Sequence, residues 1–187
     1  MTGVQTCALP ICAGSFISHN LREFTGGDGQ VAADGRAIVI DGKMVAFARG
    51  GVDSFTIPSG DTALGAELFY DSPELKYLNL GSNITSIGDY AFSKCPALEE
   101  IVIPSSLNVI GQSLFSDTDN IVRFSGNSPY VTSDNKCFIW PNVRGGGNDV
   151  LKFAGGGGIL EYTIPSGHDI ILLNANSFRS ATLKKLT

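Results

Sequence analysis

Between residues 52 and 125 the sequence repeats itself every 23 residues. Ile57, Leu80 and Ile103 stand at that step, as do Leu64, Ile87 and Ile110, then Gly65, Gly88 and Gly111, then Phe69, Phe92 and Phe115. Val52, Leu75, Leu98 and Ile121 carry it through a fourth turn. So many columns in register without a gap point to a solenoid, in which each repeat is one coil stacked on its neighbours. A single coil cannot bury its own apolar side, so the strands must lie about 4.8 Å apart in a stack and the phenylalanines must form a ladder through it.

Within one unit, Leu75-Lys76-Tyr77-Leu78-Asn79-Leu80 has the LxxLxL spacing of a short strand that alternates its sides, with Leu78 and Leu80 inward and Tyr77 and Asn79 outward. A turn follows at Gly81-Ser82-Asn83. Ile84, Ile87, Ala91 and Phe92 then recur at three- and four-residue steps, which predicts a tight bend at Gly88 and a short helical turn returning across the back of the coil. The expected fold class is therefore an α/β solenoid of 23-residue coils, β-dominated, with short helical turns.

A longer repeat overlies the short one. Phe24, Val31 and Asp34 recur as Phe124, Val131 and Asp134, and Phe47-Ala48 recurs as Phe153-Ala154 after a six-residue insertion. Phe55-Thr56-Ile57-Pro58-Ser59-Gly60 returns as Tyr162-Thr163-Ile164-Pro165-Ser166-Gly167. In the first copy two apolar runs, 37–40 and 43–47, flank Asp41-Gly42, whose need for positive φ predicts a type I′ β-hairpin. In the second copy Phe138-Ile139-Trp140 and Val150-Leu151-Lys152-Phe153 flank a long loop holding Gly145-Gly146-Gly147, expected to be mobile.

The domain plan that follows has five parts. Residues 1–12, Met-Thr-Gly-Val-Gln-Thr-Cys-Ala-Leu-Pro-Ile-Cys, resemble translated sequencing-adapter read-through and are set aside from the fold. Residues 13–51 read as the tail of a preceding coil and the first hairpin, since Phe16, Leu21 and Phe24 match Phe115, Ile121 and Phe124 within one residue. Residues 52–125 are three leucine-rich coils, 126–158 the second hairpin module, and 159–187 a further coil. Leu183-Lys184-Lys185-Leu186-Thr187 opens an LxxLxL strand, so the array is expected to be a fragment whose uncapped ends are sticky in solution.

Composition narrows the function. Only 17% of residues are charged, the formal charge is −5, and 23 residues are glycine, a profile without the basic patches that nucleic acids require. No apolar run reaches the roughly 18 residues of a membrane span. With Cys7 and Cys12 set aside, Cys95 and Cys137 make neither a disulfide framework nor a zinc site, and Cys95 falls at a small-residue position of the repeat, where burial is expected.

Tyr162-Thr163-Ile164-Pro165-Ser166-Gly167, Ile101-Val102-Ile103-Pro104-Ser105-Ser106 and the run from Ile84 to Leu98 resemble BspA-type leucine-rich repeats, specifically over residues 52–125 and 155–187. The resemblance implies a bacterial cell-surface or secreted protein with adhesion or protein binding as its role, and it brings no catalytic residues and no cofactor. Asp61 and His168 depart from the pattern, because the position after Pro-Ser-Gly usually carries an apolar side chain.

Candidate chemistry is sparse. His19 and His168 are the only histidines and cannot assemble a triad or metal cluster within a unit. Glu99-Glu100 is the only adjacent pair of glutamates, and neighbours on a strand point to opposite faces, so the pair reads as solvated surface. Gly26-Gly27-Asp28-Gly29 lacks the repeated acidic spacing of a calcium loop, and the glycine runs at 145–147 and 155–158 lack the Lys-Ser/Thr of a phosphate loop. Neither metal nor cofactor is expected, and no catalytic residue is assigned.

What remains is a surface. The outward strand positions align as one column of Ser54, Tyr77, Glu100 and Arg123 and a second of Thr56, Asn79, Val102 and Ser125. These eight are the candidate partner-binding residues, with Tyr77 and Arg123 expected to dominate. The expected function is non-enzymatic recognition of a protein on a host or neighbouring cell. Glycan binding would favour several aromatic side chains in line and ranks lower; a structural spacer and a β-helix polysaccharide-degrading enzyme are the remaining alternatives.

Overall fold

The computed structural model describes residues 18–25, 30–31, 35–141, 148–167, 170–173, 177–178 and 183–187. The expected artefact at 1–12, Phe16, Gly26–Gly29, Gly145–Gly147 and His168 therefore lie outside the described residues. Among the described residues there are fourteen short strands: β1 (Ala37–Ile40), β2 (Lys43–Phe47), β3 (Ser54–Thr56), β4 (Ala63–Leu64), β5 (Tyr77–Asn79), β6 (Ser86–Ile87), β7 (Glu100–Val102), β8 (Val109–Ile110), β9 (Arg123–Ser125), β10 (Cys137–Pro141), β11 (Asn148–Phe153), β12 (Glu161–Tyr162), β13 (Ile170–Leu173) and β14 (Lys185–Leu186).

The 23-residue step becomes two parallel ladders. β3, β5, β7 and β9 form one sheet in that order, with Ser54 opposite Tyr77, Tyr77 opposite Glu100 and Glu100 opposite Arg123. β2, β4, β6 and β8 form the second, with Leu64 on Ile87 and Ile87 on Ile110. Phe55, Leu78, Ile101 and Phe124 point between the sheets and are buried, whereas their strand neighbours face out. The aromatic rungs stand in file, Phe69 to Phe92 at 6.1 Å between centroids and Phe92 to Phe115 at 5.5 Å. The file extends beyond the expected three, through Phe47 at 4.7 Å from Phe69 and Phe138 at 6.1 Å from Phe115.

The expected helical turn is not there: among the described residues no helix forms. Glu67, Tyr90 and Ser113 have positive φ, as do Asp71, Lys94 and Asp117, so each return carries two left-handed residues four positions apart. A right-handed helix cannot hold them. Their backbone N–H groups are also committed elsewhere, because Glu67, Phe69 and Asp71 donate to Asp89, Ala91 and Ser93 of the next coil. Tyr90, Phe92 and Lys94 repeat the pattern toward Gln112, Leu114 and Ser116. The three-and-four spacing of apolar residues therefore describes a row of stacked turns bonded along the solenoid axis.

Gly88 has a different reason from the bend first expected of it. Its φ is not positive, but a Cβ there would lie 2.4 Å from the backbone nitrogen of Ala66, and one at Gly111 would lie 2.3 Å from that of Asp89. The glycine column is where successive coils touch backbone to backbone.

Both hairpins form, with matching irregularities. Asp41 and Gly42 sit at φ 51° and 72°, as a type I′ turn demands. β1 pairs with β2 and β10 with β11, each antiparallel, and the register slips after Ile38 in one and after Phe138 in the other, one hundred residues later. Val31 bridges to Ile38 as Val131 bridges to Phe138. The second hairpin divides two cores: Phe138 packs into the core of the preceding coils, while Cys137, Ile139 and Phe153 belong to a second cluster with Tyr162. Lys152, almost wholly buried, ties the hairpin to the third coil through a 2.7 Å ion pair with Asp119.

Asp61 occupies the column that continues as Ile84 and Leu107, all three buried, and its Oδ2 has no hydrogen-bond partner among the described residues. Burial pushes its carboxyl above the ordinary range. A raised carboxyl pKa means that the folded state prefers the proton, so the penalty is full above the folded pKa and fades as pH falls through it. Asp61→Leu is expected to stabilise the protein by about 1 to 3 kcal/mol near neutral pH, with the gain shrinking in acid. Thermal melts of both proteins across pH 4 to 8 check the sign.

Candidate functional site

The two candidate columns are side chains of the β3–β5–β7–β9 ladder, and the parallel register holds them in line. Ser54, Thr56 and Arg123 are exposed; Tyr77, Asn79, Glu100, Val102 and Ser125 are half-buried. The face is stiffened by bonds among its own members. Arg123 Nη2 lies 2.6 Å from Glu100 Oε2, and the Ser125 hydroxyl donates to Glu100 Oε1 at 2.6 Å. Burial alone would raise the Glu100 carboxyl, but hydrogen bonds from Arg123 and Ser125 outweigh it and hold the pKa below the usual range. Arg123 is raised in turn, first by its hydrogen bond to Glu100. Arg123 is thus a fixed, half-neutralised guanidinium rather than a free arm.

Two shallow depressions flank this network. One, about 300 Å³, is lined by Lys76, Tyr77, Glu99, Glu100, Val122 and Arg123. The other, about 280 Å³, includes Asn79, Ser82, Val102, Pro104, Ser105 and Asn127 and has no charged side chain in its wall. Asn79 Oδ1 accepts from Gly81 N at 2.8 Å and Asn127 Oδ1 from Ser105 N at 3.2 Å, so both amides are held with their oxygens turned to the backbone. Glu99 and Glu100 both border the first depression, Glu99 just before the strand and Glu100 at its start.

Sequence reasoning missed a polar spine behind the face. Arg49, Ser72, Cys95 and Thr118 follow one another at the 23-residue step and are all buried. The Thr118 hydroxyl donates to Phe92 O at 2.7 Å and accepts from Cys95 N at 3.0 Å, and the Cys95 thiol donates to Phe69 O at 3.0 Å. Arg49 ends the series by donating to the carbonyls of Leu68 and Tyr70. The signal was present as polar residues at a constant step, read at Cys95 alone. Burial pushes the Cys95 thiol up to about 12, and the Cys137 thiol likewise, so neither is poised as a nucleophile. His19 meets Asp71 at 3.2 Å, away from the strand face. Among the described residues no three His, Cys, Asp or Glu side chains converge as a metal site would require.

The family model for the BspA type leucine rich repeat region matches residues 43–143 in six copies, more than half of the chain. The protein belongs to the BspA-type leucine-rich-repeat family. No curated protein is similar enough to count as a relative. Among solved structures, a leucine rich cell surface protein from Faecalibacterium prausnitzii is 24% identical over 62% of this chain and 30% of its own, with a TM-score of 0.52. The pneumococcal vaccine antigen PcpA is 21% identical over 75% of this chain and 34% of its own, with a TM-score of 0.56. These likenesses establish the solenoid fold of this BspA-type repeat array, which spans about a third of each of those two structures.

Proposed function

We propose that this BspA-type array is a non-enzymatic recognition module of a bacterial surface protein, binding a protein partner through the β3–β5–β7–β9 face. The observation that carries the reading is the fixed alignment of Ser54, Tyr77, Glu100 and Arg123 over two open depressions, with Tyr77 and an immobilised Arg123 as the residue types that dominate protein interfaces. Pre-ordering by Glu100 and Ser125 reduces the entropy that Arg123 would lose on binding. That the two solved structures are a cell surface protein and a vaccine antigen supports placing the module outside the cell.

Labelled protein applied to intact host and bacterial cells tests this reading. Binding that protease treatment of the target cells removes is the expected result, and it is expected to fall at least about tenfold in Tyr77→Ala/Arg123→Ala. Binding removed by periodate but not by protease would instead favour a glycan, a reading to which the uncharged depression around Asn79 and Asn127 lends support. Unchanged binding in the double variant discards the site.

A further inference from the structure

We infer that the depression between Asn79 and Asn127 seats a partner segment in the polyproline II conformation, which lies along the solenoid axis and accepts a hydrogen bond from each amide at carbonyls three residues apart. This rests on the proposed protein-binding role of the face and names what the face binds. Asn79 closes β5, and Asn127 stands in the bend after β9. Each amide oxygen is taken up by a backbone N–H, that of Gly81 in one case and that of Ser105 in the other. Each side chain therefore turns its NH2 group, a donor only, toward the depression that both of them line.

Such a pair of donors calls for acceptors on the ligand. Every carbonyl of a polyproline II segment is available as one, because that helix has no internal hydrogen bonds. Between the amides the lining is apolar, with Val102 half-buried and Pro104 buried, and among the described residues no charged side chain stands in the wall. A neutral segment whose proline rings rest on Val102 matches this lining, and its fixed backbone loses little freedom on binding.

The spacing selects the conformation. Asn127 falls two repeats after Gly81, so its coil is two steps from that of Asn79. The stack is tight there, since a Cβ at Gly126 would lie 2.3 Å from Ile103 O. Two strand spacings put the amides about 9.6 Å apart along the axis. One turn of polyproline II is three residues and about 9.3 Å, and it returns a carbonyl to the same side. A β-strand returns one every second residue, after about 6.7 Å, and falls short of the second amide.

The test is a titration of the isotope-labelled full chain, followed by NMR, with an oligoproline of roughly twelve residues, four turns of the helix. A Gly-Ser peptide of equal length is the control. The side-chain NH2 resonances of Asn79 and Asn127 are expected to shift with oligoproline and to stay in place with the control. Asn79→Asp/Asn127→Asp keeps the acceptor oxygens for Gly81 N and Ser105 N and removes both donors, so oligoproline binding is expected to weaken by about tenfold or more. Asn127→Asp alone decides the matter if the double variant fails to fold. A folded variant that binds oligoproline as tightly as the wild type overturns the inference. So do amide shifts caused by a neutral oligosaccharide and not by oligoproline, which would assign the depression to a glycan. If oligoproline moves neither amide while binding to cells still needs Tyr77 and Arg123, the inference falls and the recognition role of the face stands.

Discussion

Phe92→Ala is expected to lower the stability of the solenoid by about 3 to 5 kcal/mol, the range observed when a buried aromatic side chain is removed from a core. Phe92 is wholly buried and is the middle rung of the file, 6.1 Å from Phe69 and 5.5 Å from Phe115. Its backbone is pinned on both sides, its N–H donating to Leu114 O and its C=O accepting from Thr118 Oγ1, so the coils cannot collapse into the hole. For a domain of this length the loss corresponds to a fall in melting temperature of roughly 6 to 20 °C. Because each coil interacts mainly with its neighbours, a hole at the central rung also uncouples the first coil from the third, and the melt is expected to broaden. Val109→Ala, at a side chain 56% exposed, provides the comparison and is expected to change stability by no more than about 0.5 kcal/mol. Calorimetry of the three proteins decides it: a Phe92→Ala melt as sharp and as high as that of the wild type would show that the file carries no energy.

The architecture was legible in the sequence wherever a physical constraint repeats at the period of the fold. Buried strand positions alternate and recur, so Leu78, Ile101 and their column could be read directly, and Asp41-Gly42 announces its turn because few residue pairs tolerate two positive φ angles. The helical return could not be rejected in the same way. Apolar residues three and four apart suit both a helix and a row of turns, and what separates them is where the backbone N–H groups go, which depends on the coil 23 residues away. Non-glycine residues such as Glu67, Tyr90 and Lys94 give no local warning of positive φ.

The site was legible to a lesser degree. The outward columns follow from strand alternation, but the bonding of Arg123 and Ser125 to Glu100 alters what the column can offer a partner. Opposite charges at the 23-residue step were the available clue.

The largest penalty from the smallest chemical change is expected at Gly88→Ala. The added methyl carbon would stand 2.4 Å from Ala66 N, 2.6 Å from Gly65 C and 2.7 Å from Ala66 Cα, all backbone atoms of the preceding coil. No side chain can rotate out of its way. Relief requires the two coils to move apart by about an ångström, which would strain the bond from Gly88 N to Leu64 O at 2.9 Å and the Leu64–Ile87 ladder beside it. Overpacking of a rigid interior costs typically 1 to 3 kcal/mol, and here lost hydrogen bonds add to it, so a loss of about 3 kcal/mol or more is expected. Gly60→Ala makes the same substitution where a Cβ meets nothing within 4 Å and φ is not positive. There the smaller entropy of the unfolded chain is expected to leave stability unchanged or raised by about 0.4 to 1 kcal/mol. Denaturant titration of the two variants should give shifts of opposite sign, and a Gly88→Ala protein as stable as Gly60→Ala would mean that the coils do not meet backbone to backbone along the glycine column.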